Sequence, residues 1–221
     1  MRRFDAFFFD MDGVLFNSMP NHALAWEEVM QKHGLQFTAR DTYINEGRTG
    51  FDVIRECFML AGKPIPSEEV VNAIYKEKSD SFSKRGEALP VDGVKEVLKE
   101  LQEQDVDIWI VTGSGQHTLF DRLERVFPHT FTRDHMITAF DVVYGKPDPE
   151  PYLKAWKRSG KKIDRCAVVE NAPLGVRSAK QAGIFTIAVN TGILTRSDLE
   201  KEHADIIFDD MHQLLDWLQK K

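Results

Sequence analysis

An α/β fold, a Rossmann-like doubly wound parallel sheet carrying an inserted α-helical cap, is what this sequence predicts. Three observations lead there. Short, continuously apolar runs recur along the 221 residues, helical patterns alternate with them, and one long interval without strand character interrupts the alternation. Apolar runs that do not alternate with polar residues imply a sheet covered on both faces, and strand–helix alternation implies parallel crossovers.

The first strand is read at residues 4–9, where three consecutive phenylalanines end at Asp10. Others follow at 106–111 (VDIWIV), 165–169 (RCAVV), 185–189 (FTIAV) and 205–208 (DIIF). Helical periodicity is read at 91–104, 116–127, 149–159, 173–182 and 211–220. The interval before VDIWIV holds three helical blocks, at 20–33, 50–61 and 67–84, punctuated by Gly34, the GKPIP run at 62–66 and Gly86. This predicts a core built from 1–15 and 90–221 and a helical cap at 16–89, hinged near 15–19 and 86–92.

Composition narrows the function classes. A chain with 42% apolar residues and this length can bury a sizeable core. Its net charge of −6 argues against a nucleic-acid or membrane-surface partner, both of which favour basic patches. No apolar stretch reaches the ~20 residues that span a bilayer, and Asp5 and Asp10 break the N-terminal apolar run before it resembles a signal peptide. Cys57 and Cys166 form no CxxC pair and read as reduced, buried thiols. A cytoplasmic monomer is the expectation.

In a doubly wound sheet, ligands bind beyond the carboxyl ends of the strands. Four chemically rich segments fall there: Asp10, Met11, Asp12, Gly13 after the first strand; Thr112, Gly113, Ser114 after the second; Lys146 in the proline-stiffened GKPDPEP loop; and Glu170, Asn171 after RCAVV. Asp10 and Asp12, two residues apart, can face one pocket. At 4 Å and an effective dielectric of ~20 they would repel by about 4 kcal/mol, so a positive partner is required. Hard oxygen donors of this kind suit Mg²⁺. Thr112, Ser114 and neighbouring amides suit phosphate oxygens, and Lys146 suits charge neutralisation. Each fragment alone is weak, since paired acids are often solvated and TGS is a common turn. Their order and placement at strand ends carry the inference.

FDMDGVLFNS, VTGS, GKPDPEPY and VVENAPLGV together resemble the four motifs of the haloacid dehalogenase superfamily, in the branch similar to β-phosphoglucomutase. The resemblance implies that Asp10 is the nucleophile that becomes an aspartyl phosphate and that Asp12 is the general acid and base. It implies phosphate binding by Thr112, Gly113, Ser114 and Lys146, and Mg²⁺ held by Asp10, Asp12, Glu170 and Asn171. Asp10 should then stay ionised while Asp12 carries a proton. The second aspartate, absent from the dehalogenases themselves, points to phosphate chemistry. One departure is Asn171, where the family usually has aspartate, which removes a negative charge from the metal site.

The cap segment INEGRTG bears on the substrate. Phosphoglucomutases have a lysine-glycine-valine-serine-arginine loop here, whereas this chain has Glu46 in the lysine's place, Gly50 in the arginine's and Arg48 elsewhere. Together with YGKPDPEPYL, ENAPLGV and AGIFTIAVNTG, NEGRTG is similar to bacterial inorganic pyrophosphatases of the superfamily. That implies pyrophosphate, or another small phosphorylated metabolite, as substrate, with Glu46, Arg48 and Lys78 meeting it. Alternatively, Glu46 and Arg48 simply pair with each other. His22 matches the spacing of a mutase histidine that positions the acid/base aspartate, which keeps β-phosphoglucomutase as the alternative; a general sugar-phosphate phosphatase and a binding-only protein follow.

Overall fold

The computed structural model describes residues 3–115 and 119–220. Its sheet is all parallel, in the order β3-β2-β1-β4-β5-β6. The strands are β1 (Ala6–Phe9), β2 (Asp107–Val111), β3 (Met136–Ile137), β4 (Cys166–Glu170), β5 (Phe185–Val189) and β6 (Ile206–Phe208). Successive side chains of β1 serve two different cores. Phe7 and Phe9 join the cluster with Val97, Leu101 and Leu214, whereas Ala6 and Phe8 join the one with Trp109, Tyr152 and Ala155. This is why a strand of four fully buried apolar residues shows no polar alternation.

Chain order explains where a ligand would sit. From β1 the connections run outward to β2 and β3, then return to the other side of β1 for β4, β5 and β6. The crevice beyond the adjacent ends of β1 and β4 is therefore the topological switch point. Asp10 follows one strand there, and Glu170 closes the other.

Helices α5 (Val94–Glu103), α6 (Leu119–Val126), α7 (Glu150–Ser159), α8 (Pro173–Gln181), α9 (Arg196–Glu200) and α10 (Met211–Gln219) flank the sheet. Proline in the first turn pre-sets the starts of α7 and α8, and Gly160 in the left-handed region ends α7. The chain between β1 and α5 folds as α1 (Met19–Lys32), α2 (Ala39–Ile44), α3 (Gly50–Leu60) and α4 (Glu68–Ser83). These helices close around their own apolar cluster of Trp26, Met30, Val53, Ile54, Val71 and Ile74. Helix α2 also rests on the core: Tyr43 packs with Met19, Ala23 and Leu194, and Arg40 reaches Asp198 at 2.8 Å.

Three short elements escape sequence periodicity. The two-residue β3 is too short to show a period. Helices α2 and α9, of six and five residues, open with capping boxes, Thr38 with Asp41 and Thr195 with Asp198, and are too short to show a helical period. The helix expected from 91 begins at Val94, because Val91 donates its amide to the Leu15 carbonyl at 3.0 Å and so belongs to the linker. The first three residues of the helix expected at 116–127 lie outside the described residues; the remainder forms α6. Among the described residues, no helix is long and apolar enough to cross a membrane.

Because Phe8 is completely buried between the sheet and α7, Phe8→Ala should destabilise the protein by about 3–5 kcal/mol, read as a lower urea midpoint with an unchanged slope.

Candidate active site

The ends of three neighbouring strands meet on one ammonium group. Lys146 Nζ lies 2.5 Å from Asp10 Oδ1 beyond β1, 2.6 Å from Glu170 Oε1 at the end of β4, and 3.1 Å from the Val111 carbonyl at the end of β2. All three side chains are buried. Burial opposes the charge of Lys146, yet Asp10 and Glu170 hold its pKa above the usual lysine range. Tyr152 Oη donates to the same Glu170 oxygen at 2.6 Å, and the Asn171 amide donates to the other at 3.1 Å. Both oxygens of Glu170, a residue expected among the metal ligands, therefore already have protein partners.

Beside this cluster, Asp12 accepts a 2.5 Å hydrogen bond from Ser18 Oγ, and His22 Nε2 stands 3.6 Å from the same oxygen. His22 Nδ1 is 2.8 Å from Lys78 Nζ, which lies 5.2 Å from the ring centroids of both Trp26 and Phe82. Phe82 stacks on His22 at 4.0 Å. Thr112 is buried, and its hydroxyl accepts from the Ser114 amide at 3.1 Å, shaping the turn that contains Gly113.

The loop between α2 and α3 descends on these residues. Glu46 Oε2 accepts from Asn171 Nδ2 at 3.1 Å, and a Cβ added to Gly47 would stand 3.0 Å from Lys146 Cβ. Gly47 also has φ +90, so both space and backbone require glycine there. Gly13 is constrained in the same two ways, with φ +83 and the Asn171 amide where a Cβ would sit. Glu46 and Arg48 are not paired with each other: Arg48 turns outward to Glu56. Arg48, expected to meet substrate oxygens, is thus engaged on the helical insert. Tyr152 and Ser18 are the functional positions that sequence reasoning missed. Tyr152 lies within the GKPDPEPY motif, six residues after Lys146, and Ser18 ends FDMDGVLFNS; nothing in their local pattern marks either as a partner of a carboxylate.

The surroundings shift the two aspartates in opposite directions. Burial pushes Asp10 up to about 7 against the pull of Lys146, with Glu170 and Asp12 adding to the rise. Burial also acts on Asp12, but His22, Ser18 and Lys78 outweigh it and leave the group at about 2. Burial depresses His22 below its ordinary value and Lys78 to about 8. Glu46 is pushed well above the usual range by burial and by Asp10, Glu170 and Asp12. Asp10, Glu170 and Glu46 thus all act on the buried Lys146. Asp10 Oδ2 and Asn171 Oδ1, at the ends of the adjacent strands β1 and β4, are buried without a hydrogen-bond partner. Among the described residues no three His, Cys, Asp or Glu side chains converge as a ready metal cluster. Two orphaned hard oxygens in an anionic pocket fit a small divalent cation, whose charge would return Asp10 to its carboxylate form.

A six-stranded parallel sheet with a lysine-bridged aspartate at its switch point is the frame against which known proteins can be compared. A family model for haloacid dehalogenase-like hydrolases matches residues 4–183. The chain is 30% identical over 208 residues to validoxylamine A 7′-phosphate phosphatase of Streptomyces hygroscopicus subsp. limoneus, with 93% of each chain covered. It is 26% identical over 220 residues to a provisionally named pyrophosphatase of Caldanaerobacter subterraneus subsp. tengcongensis, covering 95% of this chain and 92% of that one. Among solved structures, a provisionally named β-phosphoglucomutase from Bacteroides vulgatus superimposes with a TM-score of 0.91 and 42% identity, covering 100% of this chain and 92% of that one. The chain belongs to the haloacid dehalogenase-like hydrolase family.

Two outcomes test this geometry. Tyr152→Phe, which removes a hydrogen bond to the buried Glu170 carboxylate, should destabilise the protein by about 1.5–3 kcal/mol in chemical denaturation. Asp12 is held below its unfolded value of 3.8, so its contribution is present above that pH and is lost as pH falls toward about 2. The stability gap between the wild type and Asp12→Asn in metal-free buffer should accordingly narrow by about 1 kcal/mol between pH 5 and pH 3.

Proposed function

We propose that this protein is a Mg²⁺-dependent phosphohydrolase of small phosphorylated metabolites, with inorganic pyrophosphate first among them. The observation that carries the reading is the placement of Glu46: the helical insert presents a carboxylate, not a cation, over Asp10, Lys146 and Asn171. Arg48 is engaged by Glu56, and Lys78 is engaged by His22. A sugar bisphosphate needs a cation on the insert for its distal phosphate. A compact polyanion that arrives with its own divalent cation suits a carboxylate instead.

In this reading α1–α4 form the cap and the remainder forms the core. Asp10 attacks phosphorus in line with the departing oxygen and becomes the phosphoryl carrier, while Lys146 neutralises charge developing on the transferring group. Thr112, the Gly113 turn and Ser114 hold its oxygens. Asp10, the backbone carbonyl of Asp12 and the amide oxygen of Asn171 would hold Mg²⁺. The ion would neutralise phosphoryl oxygens as a Lewis acid.

Asp12 is set as a base at neutral pH: it takes a proton from the water that then hydrolyses the Asp10 phosphoryl group. Its ionised state at rest also bears on the first step. A sugar alkoxide needs a proton in order to leave, whereas the phosphate released from pyrophosphate leaves as a stable anion without one. An Asp12 held as a carboxylate by His22 and Ser18 therefore suits pyrophosphate as substrate.

The second reading, β-phosphoglucomutase, is favoured by His22 standing beside Asp12. Phosphate release separates the two. With Mg²⁺, the wild type should release phosphate from pyrophosphate, and Asp10→Asn should lose at least about a thousandfold. Interconversion of β-glucose 1-phosphate and glucose 6-phosphate with little free phosphate would establish the mutase. Glu46→Lys should depress pyrophosphate turnover more than turnover of p-nitrophenyl phosphate; equal losses would remove Glu46 from the choice of substrate. Chelation by EDTA should abolish activity, and added Mg²⁺ should restore it.

A further inference from the structure

The two linkers between core and helical insert form one short ribbon. Val91 donates its amide to the Leu15 carbonyl at 3.0 Å, Asn17 donates to the Leu89 carbonyl at 2.8 Å, and Phe16 bridges Pro90 in antiparallel fashion. A two-stranded ribbon this short is not stable by itself. Something in the core must hold it.

Helix α6 supplies that support. The Arg122 guanidinium lies 3.8 Å above the Phe16 ring on the first linker, and its Nη2 donates to the Ala88 carbonyl on the second at 3.0 Å. Arg122 Nε is buried without a partner, which marks a group placed for its position at the cost of one unmade bond. Phe16 is fully buried and packs on Phe127, just past the end of α6, with ring centroids 5.4 Å apart. Arg125, one turn along α6, reaches Glu87 at 2.5 Å. A guanidinium can stack on a ring and bond a carbonyl at once; an ammonium cannot do both from one place.

The pinned linker ends on the reactive carboxylate. The Phe16 carbonyl accepts from the Gly13 amide at 2.7 Å and from the Ser18 amide at 2.8 Å, and Ser18 Oγ holds Asp12 at 2.5 Å. We propose that Arg122 is the pin of the hinge: a positioning residue that ties both linkers to α6 and, through Phe16 and Ser18, sets where the Asp12 carboxylate stands. The kinetic part of this proposal rests on the acid–base role assigned to Asp12 above; the structural part does not.

The test uses Arg122→Met, which keeps length and apolar contact, and Arg122→Lys, which keeps the charge. Amide hydrogen exchange should accelerate by at least about tenfold at Asn17 and Val91 in both variants, while Phe8 and Val168 in the sheet keep wild-type rates. With pyrophosphate and Mg²⁺, kcat should fall by about tenfold and KM should fall with it, because a misplaced Asp12 slows hydrolysis of the phosphoryl-enzyme and lets that species accumulate. Wild-type exchange at Asn17 and Val91 in both variants overturns the pin. Faster exchange with unchanged kcat and KM overturns the positioning of Asp12. If the wild type turns over no phosphorylated substrate, the functional reading fails, and the exchange measurement still decides the hinge.

Discussion

One buried ammonium organises this molecule. Lys146 takes an oxygen from the ends of β1, β4 and β2, so a single cation joins three strands where the sheet's connections reverse direction. A buried lysine flanked by two carboxylates and a carbonyl persists only because each partner offsets part of the desolvation cost of the others. Glu170, in turn, depends on Tyr152 and on the Asn171 amide for its orientation. Removing one member leaves a buried charge uncompensated, which ties the structure of the core to the chemistry at its edge.

The same cluster sets how the helical insert meets the core. Gly47 lies against the aliphatic stem of Lys146, and Glu46 reaches Asn171. An aspartate at 171 would face Glu46 with repulsion, whereas an amide donates to it. The amide at 171 and the glutamate at 46 are therefore joined by one contact between insert and core. The remaining excess of negative charge, with two orphaned oxygens, is the electrostatic feature on which the proposed binding of a divalent cation rests.

Much of the fold was legible because it rests on local rules. Phe7, Phe8 and Phe9 announce a doubly covered strand, and the stretch without strands between β1 and β2 announces the helical insert. The misses share a cause: α2, α9 and β3 have six, five and two residues, too few to carry a period. At the site, residue types at strand ends were readable as chemistry. The partnerships of Ser18 with Asp12, Tyr152 with Glu170 and Arg48 with Glu56 were not, since a side chain's partner is set by packing. Nor does the DMD triplet show that burial raises Asp10 while the contacts of His22 and Ser18 lower Asp12, since both depend on residues brought in by the fold.

By itself the sequence determined the strand–helix alternation, the doubly wound class and the presence of carboxylates, hydroxyls and a lysine at strand ends, because periodicity and turn chemistry act over a few residues. Only the tertiary structure decided that Asp10 meets a lysine 136 residues away, that Asn171 meets a glutamate 125 residues away, and that α6 grips both linkers through Arg122. Those contacts depend on the order in which strands enter the sheet and on how the insert folds back over it, and both are properties of the packed chain as a whole.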